Sequence, residues 1–366
     1  MHLVYLTERI DREGGIQRSL TVRVNILVEK YGHMVTIICM ERDSGVPAYR
    51  LNEGVRVVFL DDFKNSWSLL GRIRKRWVQS LYILRSVQPD ILISVKFTMH
   101  NLFFRLYASR TMLVSEIREP YEQYNQIDKP TLKFKFNAMT RNYVFKRQDL
   151  LITLTTADKE RWGFNNIEVV PNPKTLEVNN SSNLSSLQVL AVGRLHKVKG
   201  FDKLIEVWKI VNEHHNDWVL RICGAGEEYD RLVKKIADYR LEDSIKIENR
   251  FVSVLSEYMN SAIFVLTSQY EAFGNVLVEA KSCGLPVVAF DAPHGPKEII
   301  VDEEDGFLVE MNNIDAMAHK LIDLIRDDNL RLRMGTAGIK NSAKYDVDII
   351  LEKYNSLLNS YWLNEK

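Results

Sequence analysis

With 366 residues, 46% of them apolar and 27% charged, the chain has room for two domains of roughly 150 residues and lies outside the disordered and fibrous classes. A net charge of +1 and three cysteines exclude a uniformly basic nucleic-acid binder and a disulfide scaffold, so no nucleic-acid partner is expected. Cys39, Cys223 and Cys283 each sit in or beside an apolar run and read as reduced core thiols; a nucleophilic cysteine would need a base that the sequence does not place.

The opening "MHLVYLTERI" turns charged after one short apolar stretch, without the apolar core of a secretory signal. Lys96, His100 and Arg105 interrupt the most apolar part of the first half, so no bilayer span is expected and the chain is placed in the cytoplasm. "LVYL" predicts a strand, Gly14 and Gly15 a glycine loop, and "IQRSLTVRVNILVEKYG" a helix that stops at Gly32. "MVTIICM", "VRVVFL", "PDILISV", "TMLVSEI", "LLITLT" and "IEVVPNP" follow as nearly continuous apolar runs, several of them separated by stretches long enough for crossover helices. Such a series predicts a parallel sheet covered on both faces.

Charge is concentrated in this half. Between Lys64 and Arg147 there are sixteen Lys or Arg against five Asp or Glu, which leaves the rest of the chain acidic. Within that stretch "GRIRKRW" sets Arg72, Arg74, Lys75 and Arg76 beside Trp77, a combination suited to anionic headgroups or phosphates, with a solvated helix face as the alternative.

Pro171, Pro173 and the polar spacer "NNSSNLSS" separate the halves. The expected domains are residues 1–170 and 171–345, with 346–366 forming a terminal helix that packs back toward the first. A second strand and helix series runs through "LQVLAVGRL", "WVLRICGAG", "SIKIENRF", "IFVLTS" and "LPVVAF". The fold class is therefore α/β, two Rossmann-like domains facing each other, and ligands are expected beyond the carboxyl ends of the strands. No metal-ligand spacing occurs, and His214 and His215 lie at a polar helix end.

Three loops of the second half carry chemistry. "VGRLHKVKGF" places Arg194 and Lys199 after a strand, a fork and a point charge able to hold a diphosphate. "CGAGEEY" has Gly224 and Gly226 but Tyr229 where a dinucleotide fingerprint needs its third glycine, so it reads as a tight turn. "SQYEAFGNVLVEAKSCGLPVV" predicts a strand-to-helix loop and a helix from about Gly274, whose unpaired N–H groups at Phe273, Gly274, Asn275 and Val276 form an anion site. Glu271 lies ahead of that helix and Glu279 inside it, so the two carboxylates flank the anion site. A pair of glutamates at this spacing arises about once by chance in such a chain, and only the loop and helix around it give it weight.

With those elements placed, the stretch resembles the E-x7-E signature of retaining glycosyltransferases of family 4, which have the GT-B fold with a donor cleft between the domains. "GRLHKVKGFDKLI", "GAGEEYDRL", "SQYEAFGNVLVEAKSCGLPVVAFD" and "GPKEIIVDEEDGFLV" follow the family's order, and "GGIQRSL" resembles its N-terminal glycine loop. The resemblance implies that Glu271 contacts the donor sugar, Glu279 the ribose, and Arg194 and Lys199 the diphosphate. It also implies that Gly14 and Gly15 approach the diphosphate, that backbone near Phe251 meets the base, and that neither metal nor cofactor is used. "FDAPHGPKEII" is similar to capsular and surface polysaccharide members that take UDP-linked hexoses or N-acetylhexosamines. The expected acceptor is then a glycan or lipid-linked saccharide, and the basic first half suggests attachment to the cytoplasmic face of a membrane.

Many members carry a histidine after a first-domain strand, and here that loop is "SEIREPYEQY". No histidine is available to carry over, so Glu116 and Arg118 are assigned to the acceptor side, with a structural ion pair as the alternative. Other readings are a non-catalytic GT-B partner of another transferase and a two-carboxylate glycoside hydrolase. The latter needs its carboxyls about 5 Å apart across the scissile bond, unlike a pair that flanks a phosphate-sized site.

Overall fold

The computed structural model describes residues 1–60, 69–95, 101, 110–121, 132–248 and 254–364; the side chains of 69–74, 132, 133 and 364 are also outside the description. The chain divides into two compact units, residues 1–175 with 347–366, and residues 176–346.

The first unit runs β1 (His2–Thr7), α1 (Gly15–Glu29), β2 (Met34–Cys39), β3 (Val55–Phe59), α2 (Leu69–Val87), β4 (Ile91–Ser94), β5 (Met112–Glu116), α3 (Leu132–Phe145), β6 (Leu150–Thr153), α4 (Thr156–Trp162) and β7 (Ile167–Val169). The strands form one sheet in the order β3-β2-β1-β4-β5-β6-β7, with every neighbouring pair parallel. The interior strands are apolar at nearly every position because helices cover both sides. Val4, Leu6, Leu92 and Leu113 pack with Leu84 of α2, and Ile117 and Leu151 pack with Phe145 of α3. Ser115, two residues beyond Leu113 on β5, is paired with Leu151, so Leu113 and Leu151 share a face and α2 and α3 lie on the same side of the sheet.

The second unit runs β8 (Gln188–Val192), a 3-10 turn (Lys197–Lys199), α5 (Phe201–His214), β9 (Val219–Cys223), α6 (Tyr229–Asp238), β10 (Ile245–Glu248), α7 (Val254–Met259), β11 (Ile263–Leu266), α8 (Asn275–Ser282), β12 (Val287–Phe290), α9 (Gly295–Ile299), β13 (Gly306–Val309), α10 (Ile314–Arg326) and α11 (Asp328–Ser342). Its parallel sheet has the order β10-β9-β8-β11-β12-β13. The core gathers Trp208, Leu204 and Val211 of α5 with Leu321 and Leu324 of α10 and the strand residues Ile222 and Val265. A buried ion pair, Lys281 Nζ to Asp305 Oδ2 at 2.6 Å, ties α8 to the turn before β13, and the same ammonium donates to Ile299 O. The last helix, α12 (Val347–Asn364), belongs to the first unit and packs on α1.

Burial pushes the thiols of Cys39, Cys223 and Cys283 up to about 12, which leaves them protonated and inert near neutrality. Among the described residues, no helix is long and apolar enough to cross a membrane.

Candidate functional site

Strand order locates the site. In the second sheet the chain moves from β8 outward to β9 and β10, then returns to place β11 on the other side of β8. The loops after β8 and β11 therefore diverge at a switch point, where open parallel sheets bind ligands. Arg194 and Lys199 lie in the first loop, Glu271 and Gly274 in the second.

The two loops are stitched together by main chain. Gln269 N donates to Val198 O at 2.8 Å, and Thr267 Oγ1 donates to Lys199 O at 3.0 Å. Gly200, at φ 65°, makes this approach possible: a Cβ there would stand 2.2 Å from Thr267 O. Lys199 Nζ consequently meets Glu271 Oε2 at 2.6 Å, both side chains being partly solvent-accessible. The sequence assigns these two to different parts of a ligand, whereas the structure pairs them directly. Arg194 stays exposed at the end of β8.

Gly274, at φ 101°, caps α8, and the first intrahelical bonds run from Leu277 and Val278 N–H to Gly274 O. The amides ahead of Leu277, from Phe273 to Val276, must be met from outside the helix. Phe273 is buried edge-on against Tyr345, with ring centroids 5.4 Å apart, which fixes the turn into α8. Asn275 and Val276 are half-buried. Glu279 is buried one turn further on, where Tyr258 Oη donates to its Oε2 at 3.1 Å. A tyrosine of α7 thus holds this carboxylate, a partner for which the sequence offers no signal.

His294 is a second residue that sequence reasoning missed. Its φ of 78° and ψ of −71°, with Gly295 N donating to Pro293 O at 3.3 Å, describe the rare positive-φ γ-turn. Gly295 N also donates to Glu271 O at 3.1 Å, and Glu271 and His294 form an isolated parallel bridge. A strained turn thus holds the backbone of the residue that pairs with Lys199. The "APHGP" string is the trace of it, since glycine must follow: a Cβ on Gly295 would meet Phe273 O at 2.2 Å.

Gly224 and Gly226 do not form a phosphate loop. They let the β9 loop pass against the β8 loop, where a Cβ on either would meet Gly193 O at 1.9 Å or Leu195 O at 2.2 Å. Phe251 lies outside the described residues. Among the described residues no group of three or more His, Cys, Asp or Glu is placed to hold a metal ion.

In the first unit, Gly14 caps α1 just beyond β1, at that sheet's own switch between β1 and β4, and Gly15 opens the helix. Glu116 and Arg118 are placed otherwise than the acceptor-side assignment expects. Both are buried, Glu116 bonded to Arg23 and Arg118, with Tyr354 Oη of α12 donating to Glu116 Oε1 at 2.8 Å. Arg118 Nη1 continues to Asn172 Oδ1 at 2.6 Å, which accepts from Ser19 Oγ at 2.9 Å. The ion pair weighed as the alternative is thus present, and it is part of a core network. Burial works against the Glu116 charge, but Arg118 and Arg23 outweigh it and hold the carboxyl below its ordinary range.

The basic stretch falls on α2. Lys75 is exposed, Arg76 approaches Glu41 at 3.9 Å, Trp77 is half-buried, and the side chains of Arg72 and Arg74 lie outside the description.

The family described as Glycosyl transferases group 1 matches residues 174–341. AmsD, the amylovoran biosynthesis glycosyltransferase of Erwinia amylovora, is 30% identical over 371 residues, covering 98% of this chain and 99% of AmsD. S. aureus TarM, solved with fondaparinux, alpha-GlcNAc-glycerol and UDP, shares the fold at a TM-score of 0.78 and 18% identity, covering 98% of this chain and 99% of that one. Anabaena HepE with UDP-glucose does so at a TM-score of 0.79 and 17% identity, covering 98% of this chain and 100% of that one. Identity with AmsD along almost the whole chain, joined to the family match across the unit that holds Glu271 and Glu279, makes this protein a member of the group 1 glycosyltransferases.

Proposed function

We propose that the protein is a retaining transferase that moves a hexose or N-acetylhexosamine from a UDP-sugar to a glycan or lipid-linked saccharide in surface polysaccharide synthesis. The observation that carries this reading is the pairing of Lys199 with Glu271, ahead of the α8 N-terminus at the switch point. AmsD is named for amylovoran biosynthesis, TarM was solved with UDP and alpha-GlcNAc-glycerol, and HepE with UDP-glucose, which supports the donor and product classes.

On this reading the diphosphate lies over the amides of Phe273 to Val276 between Arg194 and Lys199, Glu271 accepts from sugar hydroxyls, and Glu279 from the ribose. Gly14 and Gly15 are assigned a contact to the diphosphate on the family resemblance. The bond from the anomeric carbon to the β-phosphate oxygen breaks, and the electron pair leaves with UDP. Lys199, Arg194 and the helix amides meet that charge, a preorganised electrostatic stabilisation. The acceptor hydroxyl attacks from the same face and gives its proton to the departing phosphate oxygen. Neither glutamate has to move a proton, and no metal enters the scheme. A membrane-proximal acceptor gives the cations of α2 a role at an anionic surface.

Replacing Lys199 or Arg194 by Ala is expected to lower turnover of UDP-sugar by about 100-fold to 1,000-fold. The measurement is UDP release with and without saccharide acceptor. Near-parent rates in both variants would sink the phosphate assignment, and no thermal stabilisation of the parent by any UDP-, GDP- or ADP-sugar would favour a non-catalytic partner.

A further inference from the structure

Arg194 and Lys199 share the loop after β8, and between them stands His196, whose main chain is bonded to both. His196 N donates to Arg194 O at 2.7 Å, and Lys199 N donates to His196 O at 2.9 Å. The side chain acts on the same turn. Val198 N donates to His196 Nδ1 at 3.2 Å, which caps the 3-10 turn Lys197–Lys199, and the backbone of His196 is extended there, at φ −131° and ψ 147°, as a capping residue requires. Val198 is thereby gripped from two sides, since its carbonyl accepts from Gln269 N of the β11 loop. Lys199 is the next residue along, so the imidazole helps to decide where its ammonium stands.

A cap of this kind depends on protonation. An imidazole nitrogen that accepts a hydrogen bond must be bare, so Nε2 carries the ring hydrogen. Nε2 lies 3.4 Å from Glu227 Oε1, on the β9 loop that the bond from Leu195 N to Ala225 O, 2.9 Å long, holds alongside. The side chain of His196 is 34% exposed, so protons reach it from solvent. A second proton, placed on Nδ1, would turn one N–H toward another and change the cap into a repulsion. Charges of the surrounding loops pull in both directions. Glu227 favours the added proton, while Arg194, Lys197 and Lys199 on the same loop oppose it; Glu228 is paired with Arg231, and Glu271 with Lys199. Asparagine or serine would cap such a turn at any pH, whereas histidine makes it answer to acid.

We propose that His196 is a positioning residue for the transfer reaction: its neutral imidazole sets the turn that presents Lys199 to the diphosphate, and protonation at Nδ1 releases that turn. The inference rests on the reading of Lys199 as a diphosphate ligand and adds a proton-dependent condition to it.

The test sets His196→Asn against His196→Gln. Asparagine carries its carbonyl oxygen at the place of Nδ1 and keeps the cap without a site for the proton, whereas glutamine carries its polar atoms at the place of Nε2 and loses it. With UDP-sugar and saccharide acceptor, His196→Gln should lower kcat at least about fivefold with the melting temperature kept, and His196→Asn should stay within about twofold of the parent. Between about pH 7.5 and about pH 5.5 the kcat of the parent should fall more steeply than that of His196→Asn. Hydrogen exchange at the Val198 amide reads the same turn without any donor. Relative to the free-peptide rate it should quicken in His196→Gln and in the acidified parent, and not in His196→Asn. Equal kcat values for the two variants, or equal pH profiles for the parent and His196→Asn, would overturn the proposal, as would a loss of activity in His196→Gln that only follows a loss of melting temperature. The expected exchange pattern in a protein that shows no response to UDP-, GDP- or ADP-sugars would leave the turn standing and remove the donor reading instead.

Discussion

At the scale of single residues, the contact between Lys199 and Glu271 couples two roles that the sequence lists separately. A carboxylate that neutralises the cation without ligand must exchange that partner for sugar hydroxyls when a diphosphate arrives, leaving Lys199 to the phosphate. Glu271→Ala is therefore expected to lower kcat as well as raise KM for the donor. Glu279→Gln, which keeps an acceptor for Tyr258, should mainly raise KM, by about tenfold for one hydrogen bond to a charged group. Steady-state kinetics with varied UDP-sugar separates the two, and the opposite pattern would overturn the assignment. Glu116 makes a different prediction. Glu116→Gln strands Arg23 and Arg118 in the core and should cost about 3–5 kcal/mol in urea unfolding. Parent-like stability would mean that water or another anion already serves the two guanidinium groups.

Among the elements, α12 shows most clearly where local sequence stops being informative. Strands were legible because burial on both faces demands unbroken β-branched runs, and the start of α8 was legible because glycine and a following apolar period mark a cap. The fate of Glu116 was not legible: its partners Arg23 and Tyr354 lie 93 and 238 positions away, beyond the reach of any periodicity. Docking of α12 also uses His33, whose Nε2 lies 2.7 Å from Asn355 Oδ1 and whose Nδ1 lies 3.4 Å from the Met1 amino group. Burial holds His33 below its ordinary value although the bond to Asn355 works the other way. The folded state therefore resists a proton that the unfolded chain accepts near pH 6.5, so this contribution is complete above that pH and is lost as pH falls through the folded-state value. Lowering pH from about 7.5 to 5 should lower the melting temperature of the parent more than that of His33→Gln. Equal shifts would remove His33 from the account; His2, also held low by burial, is the control substitution.

For the whole molecule, strand order did what motif spacing alone could not. The sequence marked charged and glycine positions in separate loops, and the switch between β8 and β11 explains why Lys199 and Glu271 meet while Gly224 and Gly226 serve only to bring loops together. Division of the chain fell a few residues beyond Pro171, and the first unit is discontinuous, closed by residues 347–366 after the whole of the second has been traversed. That order has a consequence during synthesis. A ribosome delivers Arg23 and Glu116 before the second unit and Tyr354 after it, so the second unit can fold while the first still waits for the helix that seals its charges. Newly made protein thus carries a half-finished first unit until α12 has emerged behind the second.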